Sequence, residues 1–585
     1  MRRDGESGGG SSSKRTRHSK VDAPGFEFEE EERDDPVSSF SNMAQAVMYT
    51  SGEPMTLEEC QSSNEWEEWQ KAINAELASL SKHKVLKGPV EQPPHKHLVD
   101  SKWVFTRKRD AEGNIVKYKA RLVARGFSQR PGFDFEETYA PVLDMVSYRI
   151  LLALATAKKW NVHTMDVVTA YLYGDLEHEI YMRVPHGFHI PDNMQRPCMK
   201  IEKSLYGLKQ SGRQWYHRYA AVLQENGFKA NPMTPTVFYK NSDTGPIITS
   251  IYVDDSNIFG TADGIGKTKE MLKYHFEMKD FGILKTCIGI EAEHTKHGLL
   301  IHQKRFIENL LKRAKMDQCG KRSTPLEIRS LDLEKDIYRA RDDDEGELPN
   351  KEKYASIIGS LTYLANCTRP DIAFSVNLLA RYTHSPCQRH WAGVQHILRY
   401  LQGSQDRGLF YSTDIKSLDL CVYADAGYLS DTTNGKSQTG FVVTLNGTAI
   451  SWKSTKQSTV ATSTTHAELI ALYHACRETV WIQNFLNPML ITLSFTPLKQ
   501  TTVFEDNRPC INQVVAGYIK SDMTKHLIPK VFFPNELISQ GRIRIEHVNT
   551  EDNVADLLTK TLHGPKHHKF SHNIGMRSIA EVTKG

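Results

Sequence analysis

The tetrad Tyr252-Val253-Asp254-Asp255 constrains the fold of this chain more than any other feature. It lies between two apolar runs, residues 247–251 and 258–259. Two apolar runs joined by a short polar turn predict a β-hairpin. Because neighbouring side chains of a strand point to opposite faces, a tight turn is where two adjacent carboxylates can reach one metal site. Taken alone, the doublet has an alternative interpretation as a solvated turn.

A third carboxylate lies upstream. Residues 162–167 predict a short strand that carries Asp166 near its end. Between Asp166 and the tetrad, residues 205–216 are rich in helix-forming and aromatic side chains. The order strand, helix, hairpin predicts the split βαβ unit of a ferredoxin-like palm. Three carboxylates on such a sheet can hold two Mg²⁺ ions roughly 3.5–4 Å apart against a triphosphate and a primer 3′ hydroxyl.

The charge of the chain indicates nucleic acid only locally. At 585 residues the chain should hold several hydrophobic cores, and its formal net charge is only +4 with a pI of about 8.4. The segment 102–130, however, carries nine lysines and arginines against Asp110 and Glu112. Such a stripe is typical of a phosphate-binding surface. A solvated sheet face is the alternative interpretation.

Cysteine usage and hydropathy exclude several classes of protein. The nine cysteines form no C-x-x-C pair, no secretory signal opens the chain, and no apolar stretch has the length of a membrane span. We therefore expect an intracellular, reduced protein. Residues 1–60, with a Gly/Ser run and an acidic run, predict a disordered tail. The basic cluster at 14–17 is a candidate nuclear signal.

A second set of acidic residues follows strand and helix patterns near the C-terminus. Asp425 ends a strand at 418–424, Glu468 lies in a helix that starts near Thr465, Asp506 follows a strand at 501–504, and Asp556 follows a strand at 542–548. These positions predict convergence on one edge of a mixed sheet. Four carboxylates around two Mg²⁺ ions would activate water for attack on an RNA phosphodiester.

Two local signals accompany this set. Asn446-Gly447 predicts a type I′ hairpin between strands at 440–445 and 448–453. Thr465 and Glu468 also satisfy the capping-box pattern, so capping is the alternative role for Glu468.

The ordered motifs resemble the reverse transcriptase and RNase H region of the Pol polyproteins of copia-type LTR retrotransposons, over roughly residues 60–565. The matching segments are 102–105, 118–127, 137–142, 165–167, 179–182, 204–210, 252–255, 451–452, 467–468, 506–507, 524–526 and 555–560. The chain departs from the family pattern at His466 and at Gly427-Tyr428. It also lacks the cysteine spacings of the zinc modules of Gag and integrase, so we interpret it as a Pol fragment, a processed product or a truncated copy.

The resemblance implies two metal centres, each with two Mg²⁺ ions that Mn²⁺ can replace. The first would be held by Asp166, Asp254 and Asp255, and the second by Asp425, Glu468, Asp506 and Asp556. In the substrate site, Lys119 and Arg121 would contact the incoming triphosphate, and Tyr206 and Gly207 would line the floor beneath the nucleotide. Tyr171 would be the steric gate against a ribonucleotide, with a core role as the alternative, and His526 would assist RNA cleavage.

The implied architecture is an α+β and α/β multidomain protein. It comprises a tail (1–60), a right-hand polymerase with fingers, ferredoxin-like palm and thumb (61–325), a helical connection (326–415), an RNase H-like mixed-sheet domain (416–562) and a C-terminal tail (563–585). Within the connection, Arg369 either packs or contacts the substrate backbone, and packing is favoured.

The expected function is RNA-directed DNA synthesis with degradation of the RNA strand of the hybrid. The expected partners are an RNA template, a DNA primer, the RNA–DNA hybrid and dNTPs, with a Gag particle and integrase supplied by other chains and no membrane. The expected location is a cytoplasmic virus-like particle or the nucleus. The alternative is a catalytically decayed or co-opted nucleic-acid-binding protein. The presence of all seven carboxylates favours the enzyme, because drift should strike metal ligands as readily as surface sites.

Overall fold

The computed structural model describes residues 53–109, 114–518 and 527–583. The helices are α1 (Leu57–Gln61), α2 (Trp66–Lys82), α3 (Met145–Ala157), α4 (Ser211–Glu225), α5 (Ala262–His275), α6 (Lys304–Ala314), α7 (Lys351–Cys367), α8 (Ala373–Ala380), α9 (Gln388–Gln402), α10 (Thr464–Thr492), α11 (Arg508–Ala516), α12 (Ile528–Ser539), α13 (Gly564–Asn573) and α14 (Ile579–Thr583). Short 3₁₀ turns cover Gly126–Ser128, Ala170–Tyr173, Pro370–Ile372 and Val554–Leu558.

The strands form four sheets and one separate hairpin. They are β1 (Leu86–Glu91), β2 (Leu98–Val99), β3 (Ser101–Arg109), β4 (Ile115–Ala124), β5 (Asn161–Val167), β6 (Asp175–Arg183), β7 (Pro197–Lys203), β8 (Lys229–Ala230), β9 (Val237–Ser242), β10 (Gly245–Tyr252), β11 (Asp255–Gly260), β12 (Met278–Ile283), β13 (Thr286–Cys287), β14 (Ile290–Thr295), β15 (Gly298–His302), β16 (Arg407–Ser412), β17 (Leu420–Gly427), β18 (Gln438–Leu445), β19 (Thr448–Lys456), β20 (Thr501–Glu505), β21 (Ile543–His547) and β22 (Met576–Ser578).

The six-stranded sheet has the order β12-β5-β11-β10-β9-β8 and is antiparallel throughout. The predicted hairpin is confirmed: Tyr252 pairs with Asp255, so Val253 and Asp254 form a two-residue turn between β10 and β11. The predicted strand with Asp166 is confirmed as β5, and Asp166 pairs directly with Asp255 of β11. Two of the three carboxylates therefore lie opposite each other on adjacent strands.

The turn of this hairpin is held in an unusual backbone conformation. Val253 has φ +57°, in the left-handed region that a β-branched residue seldom adopts. Trp215 of α4 donates a hydrogen bond from Nε1 to the Val253 carbonyl at 2.6 Å, and the Val167 amide donates to the Asp254 carbonyl at 2.9 Å. Tertiary hydrogen bonds thus fix the position of Asp254.

The basic segment forms a two-stranded hairpin of β3 and β4, which we call the basic hairpin. Helix α2 packs on it through Trp69, whose ring meets Phe105 and Tyr118 edge-on at 5.4 and 4.7 Å. A neighbouring sheet has the order β1-β7-β6-β2. Helix α2 thus covers one face of the basic hairpin. The charged side chains of β4 lie on the opposite face.

A five-stranded sheet, β13-β14-β15-β16-β22, joins distant parts of the chain. Its last strand and helix α13 fall within 563–585, which the sequence assigns to a tail; Phe570 and Ile574 are buried there. Helix α1 likewise begins inside the predicted N-terminal tail and buries Cys60. Both predicted tails are therefore too long, because burial of scattered apolar side chains orders these ends. Residues 1–52 lie outside the described part of the chain.

The C-terminal sheet has the order β19-β18-β17-β20-β21, with β17, β20 and β21 parallel and β18 and β19 antiparallel. The mixed sheet is as predicted. The type I′ turn is confirmed, since Asn446 and Gly447 have φ +55° and +79°. Helix α10 begins at Thr464, and the hydroxyl of Ser463 accepts a hydrogen bond from the His466 amide. The capping alternative for Glu468 is wrong, because Ser463 caps the helix.

Helices α7, α8 and α9 lie within residues 326–415, for which the sequence predicts a helical connection, and Arg369 is buried among them. Arg369 and Asp371 have fully buried side chains and form two parallel hydrogen bonds of 2.9 and 2.8 Å. The Ser404 carbonyl and the Tyr400 hydroxyl complete the network. Contact between Arg369 and a substrate backbone is therefore excluded, and its role is packing.

The described residues hold no helix that combines the length and the apolar composition needed to cross a bilayer. All nine cysteines lie in the described part of the chain as free thiols.

Replacing Arg369 with Met should lower the free energy of unfolding by about 3–5 kcal/mol, because Asp371 would remain as a buried, unpaired charge. Urea unfolding monitored by tryptophan fluorescence measures this change. Arg305→Met is the matched control: this arginine pairs with Glu291 but is 70% exposed, and its loss should change the free energy by less than about 0.5 kcal/mol. Equal stability of both variants would contradict a buried ion pair.

Candidate active sites

The first site is a cavity of about 650 Å³ between the six-stranded sheet and the basic hairpin. Asp166 and Asp254 line it from the sheet, and Lys119, Arg121 and Lys108 line it from the hairpin. Carboxylates and cationic side chains therefore face each other across one open space. An anionic ligand that also carries cations would satisfy both walls.

The carboxylates of this site repel one another. Burial, and then the charge of Asp254, raises the pKa of Asp166. Burial, followed by Asp254 and Asp166, raises the pKa of Asp255 to about 7. Since nearby negative charge disfavours ionisation, a divalent cation would be favoured between these groups. Asp255 itself does not line the cavity; it pairs with Asp166 on the adjacent strand.

The cationic wall has an unused donor. Burial, followed by the charges of Arg121 and Lys108, lowers the pKa of Lys119 to about 8. The Arg121 guanidinium stacks over the Tyr206 ring with 5.1 Å between Cζ and the ring centroid. Its buried Nε finds no hydrogen-bond partner among the described residues. A phosphate oxygen is the acceptor that such a guanidinium binds best.

Of the two aromatic residues predicted to contact the nucleotide, Tyr206 and Tyr171, only one lines the cavity. Tyr206 lines the cavity, whereas Tyr171 packs edge-on behind it, with 5.3 Å between the ring centroids. Gly207 has φ +87°, and a Cβ there would lie 2.1 Å from the Ala124 carbonyl. The backbone that approaches this glycine is thus β4 of the basic hairpin. The glycine is needed for that contact whether or not it also touches a nucleotide.

Sequence reasoning missed one wall of this cavity. Helix α2 contributes the face that carries Glu76, which is almost fully buried and accepts a hydrogen bond from the Leu122 amide at 3.2 Å. Lys279 of β12 also lines the cavity. The helical periodicity of α2 is visible in the sequence, but only the tertiary packing shows that this face meets the cavity.

The second site brings together three carboxylates at one end of the C-terminal sheet. One ligand atom each of Asp425, Glu468 and Asp506 lies within 4.8 Å of the other two, the only such trio found among the described residues. They come from β17, from the second turn of α10, and from the bend after β20. Asp425 and Glu468 are 1% and 7% exposed.

The electrostatics of this trio favour a cation. Burial, followed by Asp425, Glu505 and Asp506, raises the pKa of Glu468 well above its usual value. The buried Oε2 of Glu468 has no hydrogen-bond partner in the described part of the chain. Since buried polar atoms normally have partners, the residues present fit a divalent cation bound by oxygen ligands.

Asp556 lies at the same edge but outside this trio. Lys560 bridges it to Asp425, with 2.5 Å from Nζ to Asp556 Oδ1 and 3.2 Å to Asp425 Oδ1. The Thr559 hydroxyl also donates to Asp425. The prediction placed all four carboxylates around metal ions; the structure assembles three and separates the fourth by an ammonium group.

A fifth carboxylate, Glu505, was missed by the sequence interpretation. It is fully buried at the end of β20, where Oε1 accepts a hydrogen bond from the Asn507 amide at 3.1 Å. Burial raises its pKa well above the usual value. The strand extends one residue further than predicted, and this places Glu505 inside the protein instead of in the following loop.

Residues 86–328 match the family described as reverse transcriptase (RNA-dependent DNA polymerase). This segment is therefore similar in sequence to reverse transcriptases. It contains the basic hairpin, the six-stranded sheet and all three carboxylates of the first site. Helix α2 and the second site lie outside the matched segment.

Sequence similarity to longer proteins extends over most of the chain. The retrovirus-related Pol polyprotein from transposon TNT 1-94 of Nicotiana tabacum is 36% identical over 530 residues, covering 90% of this chain and 39% of that protein. The polyprotein from transposon RE2 of Arabidopsis thaliana is 34% identical over 87% of this chain and 34% of its own length. The chain therefore spans about two fifths or less of these copia-type polyproteins.

A foamy viral protease-reverse transcriptase in complex with double-stranded DNA aligns with 83% of this chain and 70% of its own length, at 11% identity and a TM-score of 0.44. This similarity is too distant for a comparison of individual side chains. His526, predicted to assist RNA cleavage, lies outside the described residues.

In EDTA, the Asp506→Asn variant should melt about 2–4 °C higher than the wild-type chain, because it removes like-charge repulsion worth about 1 kcal/mol. Added Mg²⁺ should raise the melting temperature of the variant less than that of the wild type. Differential scanning calorimetry measures both shifts. Asp552→Asn, at a 56% exposed carboxylate, should leave both unchanged, and identical behaviour of Asp506→Asn and wild type would refute the cation site.

Proposed function

We propose that this chain is an RNA-directed DNA polymerase with RNase H activity, which copies retrotransposon RNA into DNA and degrades the RNA of the hybrid. The observation that carries the proposal is the pair of carboxylate clusters on two separate sheets, the first of which faces a cavity with a cationic wall. One cluster suits nucleotide addition, and the other suits phosphodiester hydrolysis. An enzyme that has just copied RNA has a use for both.

In the polymerase site, the residues act on the two reacting partners. Lys119 and Arg121 bind the triphosphate of the incoming dNTP, and the stacked Tyr206 holds the Arg121 guanidinium plane in place. Asp166 and Asp254 face the same cavity and position the primer 3′ hydroxyl for in-line attack. A pair of Mg²⁺ or Mn²⁺ ions, when bound there, supplies Lewis-acid stabilisation of the attacking and leaving oxygens. Tyr171 packs edge-on behind Tyr206 and holds that ring in position beside the sugar.

In the RNase H site, Asp425, Glu468 and Asp506 form the carboxylate cluster that binds the cation, and Asp556 completes the set from the adjacent 3₁₀ turn. Bound divalent cations supply an activated water and stabilise the leaving oxygen. The buried Glu468 side chain faces the other two carboxylates across less than 4.8 Å. Hydrolysis of one strand leaves the new DNA available for second-strand synthesis.

The finer architecture and partners belong to the same proposal. The basic hairpin with α2 corresponds to fingers, the six-stranded sheet to a palm, and the C-terminal sheet to an RNase H domain. The substrates are an RNA template with a DNA primer, dNTPs and the RNA–DNA hybrid. Gag and integrase would come from other chains, in a cytoplasmic virus-like particle or in the nucleus.

Asp254→Asn should abolish primer extension on poly(rA)/oligo(dT) with Mg²⁺ while RNA cleavage in a preformed hybrid continues, because the two clusters lie on different sheets. Asp506→Asn should abolish RNA cleavage and leave primer extension within about twofold, since additivity holds for distant sites. Gel assays of extension and of labelled-RNA cleavage measure both.

Each variant serves as the control for the other. If the folded wild-type chain binds hybrid but extends no primer, the polymerase proposal fails and a nucleic-acid-binding protein remains. If either single variant abolishes both activities, the assignment of two independent sites is wrong.

The kcat/KM for dNTP should fall about tenfold between pH 7 and pH 9, relative to the Lys119→Arg variant, because the lysine loses its proton as the pH rises through a pKa of about 8. Below pH 7 the lysine is protonated in the wild-type chain, so the two proteins should behave alike there. Arginine stays charged throughout this range. Steady-state primer extension at constant ionic strength measures both profiles; parallel profiles would exclude Lys119 from triphosphate binding.

A further inference from the structure

Lys560 occupies the space between two carboxylates of the C-terminal site. Its Nζ lies 2.5 Å from Asp556 Oδ1 and 3.2 Å from Asp425 Oδ1. A magnesium ion shared by the same two carboxylates would need oxygen contacts of roughly 2.0–2.1 Å in that space. The ammonium group and a divalent cation therefore cannot hold this pair of carboxylates at the same time.

The other oxygens of the pair are also occupied. The Thr559 hydroxyl donates to Asp425 Oδ2, and Lys566 Nζ lies 3.2 Å from Asp556 Oδ2. All four carboxylate oxygens thus have a donor or a positive partner. In this conformation the Asp425–Asp556 position is electrostatically satisfied without a metal ion.

The neighbouring position, formed by Asp425, Glu468 and Asp506, lacks such partners at one of its oxygens. Glu468 Oε2 is buried and has no hydrogen-bond partner among the described residues. One oxygen each of Asp425 and Asp506 lies within 4.8 Å of a carboxylate oxygen of Glu468. No ammonium group of the described residues forms an ion pair with Glu468, although the charge of Lys560 still acts on this carboxyl group. The two positions share Asp425, yet one is ready for a cation and the other is closed by a lysine.

Lys560 has room to leave. Its side chain is 38% exposed, and it borders a cavity of about 410 Å³ that is also lined by Gly427, Tyr428 and Arg329. Lysine is an unbranched chain with a compact charge, so a rotation about its side-chain bonds can carry the ammonium group away from Asp425 without a backbone change. Lys566, 25% exposed, would still hold Asp556 in place.

We propose that Lys560 is a displaceable internal cation: in the chain without nucleic acid it fills the Asp425–Asp556 position, so that only one divalent cation binds the RNase H site, at Asp425, Glu468 and Asp506. The second position opens only when Lys560 turns away. This inference rests on the proposed RNase H function and adds an order of cation loading to it. The lysine would thereby prevent a fully loaded nuclease from forming away from its substrate.

Mn²⁺ binding to the full-length chain tests the proposal. The parent protein carries Asp166→Asn and Asp254→Asn, so that the polymerase site does not contribute, and free Mn²⁺ is measured by electron paramagnetic resonance in the absence of nucleic acid. The parent should bind one Mn²⁺. Adding Lys560→Met, which keeps the apolar stem and removes the charge, should add a second Mn²⁺ or tighten its binding at least about tenfold.

Two controls separate the displacement of Lys560 from a general charge effect. Lys566→Met removes a positive charge from the other oxygen of Asp556 and should leave the stoichiometry at one, because Lys560 still fills the shared position. Lys560→Arg keeps the charge and should also bind one. Thermal melting of each variant in EDTA establishes that it is folded, and Lys560→Gln replaces Lys560→Met if the latter is not.

The outcomes distinguish a failure of the role of Lys560 from a failure of the proposed RNase H site. One Mn²⁺ bound with equal affinity by all variants overturns the role of Lys560 but leaves the RNase H site intact. A second Mn²⁺ in both the Lys560→Met and the Lys566→Met proteins overturns it in favour of a general charge effect. No Mn²⁺ bound by any variant overturns the proposed metal-dependent nuclease itself, and the inference with it.

Discussion

The repulsion between buried carboxylates is the interaction on which the two sites of this protein depend. Burial and neighbouring negative charge raise the pKa of Asp255 to about 7 and that of Glu468 well above its usual value. Charges in a poorly solvated interior interact far more strongly than in water, so each cluster needs positive charge nearby. In both sites this positive charge comes from lysine or arginine side chains near the carboxylates.

The two sites differ in where this positive charge lies. At the first site, the positive charge stands across an open cavity on the basic hairpin, where Lys119 and Arg121 are free to meet a phosphate. At the second site, Lys560 follows the 3₁₀ turn that carries Asp556 and contacts the carboxylates directly. A separated counter-charge leaves space for a substrate between the walls, whereas a contacting one closes the space until it moves.

Backbone geometry adds the precision that charge alone lacks. Val253 adopts a left-handed conformation that costs about 1–3 kcal/mol and persists only when neighbouring groups hold it. The indole of Trp215 and the amide of Val167 supply those contacts from two different elements. Gly207 plays a comparable part, since its missing side chain lets β4 approach to within contact distance. The strained turn at Val253 and the close contact between Gly207 and β4 both fix the positions of the cavity walls.

The sequence by itself determined the local elements that carry the sites: the hairpin of the tetrad, the strand with Asp166, the type I′ turn at Asn446-Gly447 and the mixed C-terminal sheet. Alternation and turn chemistry are short-range effects, so a single sequence reveals them. Tertiary structure alone decided that Arg369 is fully buried, that α2 forms a wall of the cavity, and that Lys560 separates Asp556 from the other carboxylates. Those outcomes depend on which distant segments pack together, and the charge and burial of a side chain are properties of that packing rather than of its neighbours in the chain.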